Sequence, residues 1–134
     1  MRNWGIGAAL ALAMATSAAF AANDGQTREV PSKDGRFTGE IVGTPAEGSK
    51  FAQLQIGMSM QEVQDLMDRA PDRFHSYESG KRWIPFYFGN DATRLQALFR
   101  DEGCLIFTGG NVWGGGGSEL IQIEADPSGE CYQP

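Results

Sequence analysis

The chain has 134 residues, which is one domain's worth. Eleven basic residues stand against seventeen acidic ones, a net charge of −6. No basic stripe interrupts this acidic balance, and such a surface repels phosphates and anionic lipid headgroups, so nucleic-acid binding is excluded.

The first stretch predicts an export signal. Arg2 supplies a positive n-region, Trp4 to Phe20 is apolar or small without charge, and Ala19-Phe20-Ala21 is an A-x-A cleavage pattern. Cleavage after Ala21 removes Arg2 and takes the mature chain from −6 to −7. No other segment approaches membrane-spanning length, so the expectation is an exported periplasmic protein with no direct membrane span. Two cysteines in an exported chain, Cys104 and Cys131, suggest one disulfide closing a glycine-rich loop; free thiols or an intermolecular bridge are the alternatives.

Residues 22–48 are polar and rich in turn formers, and read as a flexible N-terminal segment with one short edge strand over "RFTGEIVG". The pattern tightens from 49, and residues 49–134 are expected to form the folded domain. Ser49 can cap one helical turn, "KFAQL", which Gly57 stops. Ser59 opens the next helix. Ser59 and Glu62 form a capping box, Met58 and Val63 a hydrophobic staple, and Val63, Leu66, Met67 and Ala70 one apolar face that runs to Pro71.

Strands follow. "RWIPFYF" (82–88) carries apolar residues on both faces, and Pro85 marks an edge or a bulge. "RLQALFR" (94–100) puts Leu95, Ala97 and Phe99 on one face. Asp101-Glu102-Gly103 is a tight turn, and "CLIFT" (104–108) is the next strand. The run 109–117 reads as a flexible connector, and "ELIQIEA" (119–125) as a last strand with Ile121 and Ile123 inward. The expected fold is therefore α+β in two layers: two short N-terminal helices packed on an antiparallel β-meander of three to four strands.

The residues Ile56-Gly57-Met58-Ser59, Glu62-Val63, Leu66, Pro71, Trp83 and Tyr87, with the strand–turn–strand around Gly103, resemble the SmpA/OmlA (BamE-like) family over roughly 51–107. The resemblance implies an ααβββ fold, of which a related two-layer form occurs in secreted β-lactamase inhibitors. It also implies a periplasmic binding role in support of outer-membrane protein assembly, with the β-barrel assembly machinery as partner. The chain departs from the family in having no lipobox cysteine, and the glycine-rich insert and the tail cysteine are additions.

Chemistry-bearing groups are sparse. His75 is the only histidine and reads as a surface loop residue; a paired Cys104 and Cys131 cannot ligate metal, so no metal or cofactor is expected. Asp65 and Asp68 belong to a solvated helix face, and no nucleophile motif is present, so no catalytic residues are assigned. Partner binding is the expected activity. Ile84, Phe86, Phe88 and Leu98 are candidates for an apolar patch on the sheet face away from the helices, with Trp83 on the same aromatic strand and Arg94 and Arg100 at the rim. A partner protein, a second copy of the chain, or the N-terminal segment would cover it. Trp113, in the glycine-rich run, is either a partner anchor or a cover for the sheet. The two functional readings are an envelope-assembly accessory and a secreted enzyme inhibitor.

Overall fold

The computed structural model describes residues 22–80, 91–110 and 118–134. They form a six-stranded mixed sheet with one helix and one 3-10 turn. The strands are β1 (Ala22–Pro31), β2 (Thr38–Thr44), β3 (Arg73–Glu78), β4 (Thr93–Phe99), β5 (Gly103–Gly110) and β6 (Leu120–Ala125), and the helix α1 is Met60–Met67. The order across the sheet is β1-β2-β6-β5-β4-β3. Every neighbouring pair is antiparallel except β2 and β6, which run parallel.

This corrects the expected two helices on a three-to-four-stranded meander. "KFAQL" makes only a 3-10 turn over Phe51–Gln53, because Leu54 already turns to extended backbone. The segment 22–48 supplies two full strands. β2 is an interior strand, held on one side by β1 and on the other by β6, with Ile41 opposite Ile123. β3, "RFHSYE", lies where the sequence reads as a loop, and pairs with β4 along its whole length. The expected strand 82–88 and the glycine-rich connector lie outside the described residues, apart from the connector's first two glycines, which end β5.

The helix is built as its sequence dictates. The Ser59 hydroxyl accepts from the Glu62 amide at 3.1 Å, and the Glu62 carboxylate accepts from the Ser59 amide at 3.1 Å. Two otherwise orphaned donors are thereby satisfied. Ser59→Ala is expected to lower stability by about 1 kcal/mol, read as a shift of the urea midpoint; an unchanged midpoint would contradict the cap's role. The helix stops before Pro71, because Asp68 adopts a left-handed conformation (φ 59°) and its amide bonds back to Gln64. Val63 and Met67 are buried, whereas Ala70 is exposed. Hydrogen bonds from the Gly57 amide to the Leu120 carbonyl and from the Leu120 amide to the Met58 carbonyl, both 2.8 Å, tie the helix start to β6.

The core lies between the sheet and the α1 layer. Phe51, Leu54, Ile56, Val63 and Met67 meet Ala97, Phe99, Leu105, Phe107, Leu120 and Ile123. A bulge in β6 changes the expected alternation: Phe107 pairs with Leu120 and Ile106 with Gln122, so Ile121 is the extra residue. Leu120 therefore takes the inward position expected of Ile121. Gly39 faces this layer from β2, where an added Cβ would lie 2.6 Å from the Ile56 side chain. Gly103, at φ 146°, passes so close to the Glu124 carbonyl that no side chain fits.

Candidate functional site

One face of the sheet is closed by the helix layer. Strand register identifies the residues on the other. Arg73, His75 and Tyr77 of β3 stand opposite Leu98, Gln96 and Arg94 of β4. These continue to Cys104, Ile106 and Thr108 of β5, then to Gln122 and Glu124 of β6. Glu40 and Val42 of β2 and Glu29 and Thr27 of β1 complete the row.

The C-terminal tail, 126–134, crosses one half of this face. The Cys104–Cys131 disulfide, the intramolecular pairing expected of the two cysteines, fastens it to β5. Leu98, 7 % exposed, lies beneath the bridge with Tyr132 packed alongside. Gln96 is buried and bonded at both ends of its amide: the nitrogen donates to the Cys131 carbonyl at 2.9 Å, and the oxygen accepts from the Gln133 amide at 3.0 Å. Those two backbone partners fix the orientation of the amide. Consequently His75 Nε2, 2.8 Å from the same oxygen, is the protonated ring nitrogen and donates to it. The His75 ring meets Tyr132 edge-on at 5.1 Å, and the Arg73 guanidinium sits 5.0 Å over the Tyr132 ring. His75 is thus a seat for the tail, on a strand and half-buried, where the sequence suggests a surface loop position. Asp126 closes the tail by accepting from the Ser128 amide and hydroxyl with one oxygen and from the Cys131 amide with the other.

Among the described residues, two depressions open on this face. One, of about 650 Å³, lies along the tail between His75, Tyr77, Ile106, Glu124 and Glu130. The other, of about 400 Å³, lies between Thr38, Glu40, Arg94, Thr108, Ile121 and Gln122. Arg94 grips Asp91 with two bonds of 2.8 and 2.9 Å, and this pairing raises its pKa above the ordinary guanidinium value.

Of the expected partner-binding residues, Arg94 lies in the second depression, Leu98 is covered by the tail, and Arg100 lies at the far end of β4, about 20 Å along the strand from Arg94. Arg100 serves the β4–β5 turn: its amide donates to Asp72 at 2.8 Å and its carbonyl accepts from Arg69. Trp83, Ile84, Phe86, Phe88 and Trp113 lie outside the described residues. Phe74 on β3, 65 % exposed, is the one large exposed apolar side chain among the described residues, and it is absent from the expected set. Its place next to Pro71-Asp72 gives it the look of a loop residue.

No protein-family model, curated protein or solved structure matches this chain. Its site has to be read from the residues themselves. Among the described residues no group of three or more His, Cys, Asp or Glu can hold a metal ion, and no helix is long and apolar enough to cross a membrane.

Carboxylates stitch the remaining edges. The Arg36 guanidinium, with help from the Ser32 hydroxyl, holds Asp34 far below the usual carboxylate range; Arg36 also pairs with Glu119. Lys33, 2.6 Å away, lowers Glu62, and the Arg100 amide lowers Asp72. These groups have ordinary values of 3.8 for aspartate and 4.5 for glutamate. Their folded values lie lower, so their contribution to stability is complete above about pH 5 and disappears as pH falls through the folded values. Urea midpoints are expected to be flat from pH 7 to about pH 5 and to fall below it. Asp72→Asn should shallow that fall, and an unchanged acid limb would rule out this role for Asp72.

Proposed function

We propose that this chain is an exported, periplasmic protein-binding module, accessory to assembly in the cell envelope, and that it meets its partner with the open face of the sheet. The observation that carries the reading is the asymmetry of the two faces. One is sealed by a capped helix and a dense apolar core. The other is polar, keeps two adjoining depressions, and is braced by a disulfide-fastened tail. A face braced in this way gives a partner a rigid, preorganised surface. The disulfide suits an oxidising compartment. The residue pattern around Ser59 that resembles the SmpA/OmlA family supports a place in the envelope, although the fold differs from the one it implies.

Crosslinked affinity capture with the tagged mature chain tests the proposal, using envelope from the native host. Tyr77→Ala and Gln122→Ala, each lining one depression, serve as variants after circular dichroism shows that they fold. Envelope proteins captured by the parent and lost by the variants would support the reading. Undiminished capture by both variants would remove the open face as the site, and capture of nothing would remove the function. Capture of a soluble enzyme whose activity then drops would move the assignment to a secreted inhibitor.

A further inference from the structure

β1 is an edge of the sheet: β2 lies on one side of it, and no strand among the described residues lies on the other. Its register with β2 is regular over 27–31, and the one irregularity falls earlier, between Ala22 and Thr27. Alternate backbone N–H and C=O groups of a strand point away from a single neighbour, so the stretch 27–30 presents donors and acceptors with no ladder to join. Within β1, proline, which blunts an edge, stands only at Pro31. Behind this edge, on the helix side, lies a recess of about 310 Å³ lined by Val30, Ile41, Leu54 and Ile56, with Lys33 and Gln55 beside them. Leu54 and Ile56 are buried, whereas Val30 and Ile41 are only partly covered at the margin of the core. Arg28 stands opposite Ile41 and two residues from Val30, so all three share the helix-side face. Arg28 is exposed and has no acidic partner among the described residues. The other cation here, Lys33, is committed to Glu62 at 2.6 Å.

We propose that β1 receives an added strand: an extended stretch of a partner polypeptide that carries a bulky apolar residue and an acidic residue two positions apart. The proposal rests on the protein-binding reading only in taking the partner to be a polypeptide, and it places a contact on a different surface. The edge supplies backbone hydrogen bonds, while the recess and Arg28 select the side chains, which is how strand addition combines affinity with specificity. Spacing sets the pattern. Side chains on one face of a strand recur about every 7 Å, so a residue opposite Val30 reaches the recess while the one two away stands opposite Arg28. Charge selects the acid, because an opposite-charge pair across two strands is favourable and Arg28 is the uncommitted cation. Size selects a side chain over a free ligand: 310 Å³ is at the bottom of the range for small-molecule pockets, and an aliphatic or phenyl group fits it. A second copy of this chain is a poorer occupant. The helix-side residues of the regular stretch are Arg28 and Val30, so a copy paired through the same stretch brings Arg28 no acid.

The test is an NMR titration of the isotope-labelled mature chain with the end-blocked peptide Thr-Glu-Thr-Leu-Thr-Glu-Thr, which reads the same in both directions and so can pair in either orientation. Saturable shifts are expected at the amides of 27–30 and 54–56, with Gln96 and Gln122 of the open face unmoved. Replacing the leucine by threonine should weaken binding about tenfold, and Arg28→Gln about threefold. Glu47→Gln, in the loop after β2, should leave it unchanged. Two further peptides carry N-methyl groups on alternate residues, one at the odd positions and one at the even. One of them should bind and the other should not, because only one set of amides faces β1. No saturable shift at 27–30, equal binding by the leucine-free peptide, equal binding by Arg28→Gln, equal binding of the two N-methylated peptides, or a concentration-dependent dimer of the free chain through β1 would each overturn the proposal. Envelope capture run in parallel separates the two claims. Saturation at 27–30 without envelope capture by the parent chain keeps the edge site and removes the envelope role, whereas capture without peptide saturation keeps the role and removes the edge site.

Discussion

Phe99→Ala is expected to lower folding stability by about 3–5 kcal/mol, the range for emptying a buried aromatic site. Phe99 has no exposed surface and ends β4 where the helix layer meets the sheet. Its ring meets Phe51 edge-on, with centroids 6.1 Å apart, and the Arg69 guanidinium lies 5.2 Å over it. Truncation therefore removes the partner of the 3-10 turn and the surface under Arg69, as well as the burial of the ring itself. Nearby backbone leaves little room to collapse, because the β4–β5 turn is fixed by Asp101 and Gly103 in positive-φ conformations and by the Asp72–Arg100 bond. Small domains hold only about 5–15 kcal/mol in total, so the variant should be marginal at 37 °C. Urea denaturation gives the number. A loss under about 1 kcal/mol would mean that the site repacks and that the core is not organised around this ring. Phe99→Leu, which keeps most of the volume, should cost clearly less.

Removing the disulfide with Cys104→Ala/Cys131→Ala is expected to cost about 3–4 kcal/mol on the chain-entropy model, for a bridge spanning 27 residues. The loss should also have a location. Without the bridge the tail 126–134 is held mainly by the Gln96 bonds, the Tyr132 contacts and the Asp126 turn. Release of the tail strips Gln96 of both backbone partners and uncovers Leu98. Amide exchange should therefore quicken first at Cys131 and Gln133 and along β3, while α1 and the β5–β6 centre keep their protection. Limited proteolysis should cut the tail in the double variant and spare it in the parent. A tail equally protected in both would show that packing, and not the bridge, seats it. The two variants thus differ in kind: Phe99→Ala loosens the helix-side core, and the cysteine variant loosens the open face.

Several elements are legible in the residues alone, for a common reason. The capping box at Ser59 and Glu62 spans four residues, and both its hydrogen bonds form within that span. Leu95, Ala97 and Phe99 alternate as an extended strand over a core must, and all three pack in it. The turn at Asp101-Glu102-Gly103 carries the residues that positive φ demands. Cys104 and Cys131 are the only two cysteines, so one intramolecular pairing is open to them. Other features give a misleading local signal. Pro71 looks like the helix stop, yet the left-handed turn at Asp68 ends the helix earlier. β1 has little apolar content of its own, and its strand conformation rests on pairing with β2. "RFHSYE" has a weak strand pattern beside the apolar run that follows it, so β3 reads as a loop.

The open face is the least legible part. Arg94 stands out in the sequence and does line a depression, but its commitment to Asp91 is a matter of geometry. Leu98 looks available for a partner because nothing near it in sequence covers it; Cys131 and Tyr132, more than thirty residues further on, do. Glu29 and Glu40 look unremarkable in a turn-rich acidic segment and become a pair only through the β1–β2 register.

The order of residues is enough to specify the capped helix, the β4–β5 hairpin with its glycine turn, the cysteine pair and the acidic balance. Each depends on short-range hydrogen bonding, on alternation along one strand, or on composition. The sheet order, the parallel pairing of β2 with β6, the bulge at Ile121 and the half-covered face emerge only from the folded arrangement. Those depend on which distant strands pair and in what register, and the backbone hydrogen bonds that make such pairs are the same for every residue type. The choice is settled only when the whole core, from Val30 and Ile41 to Leu120 and Ile123, is buried at once.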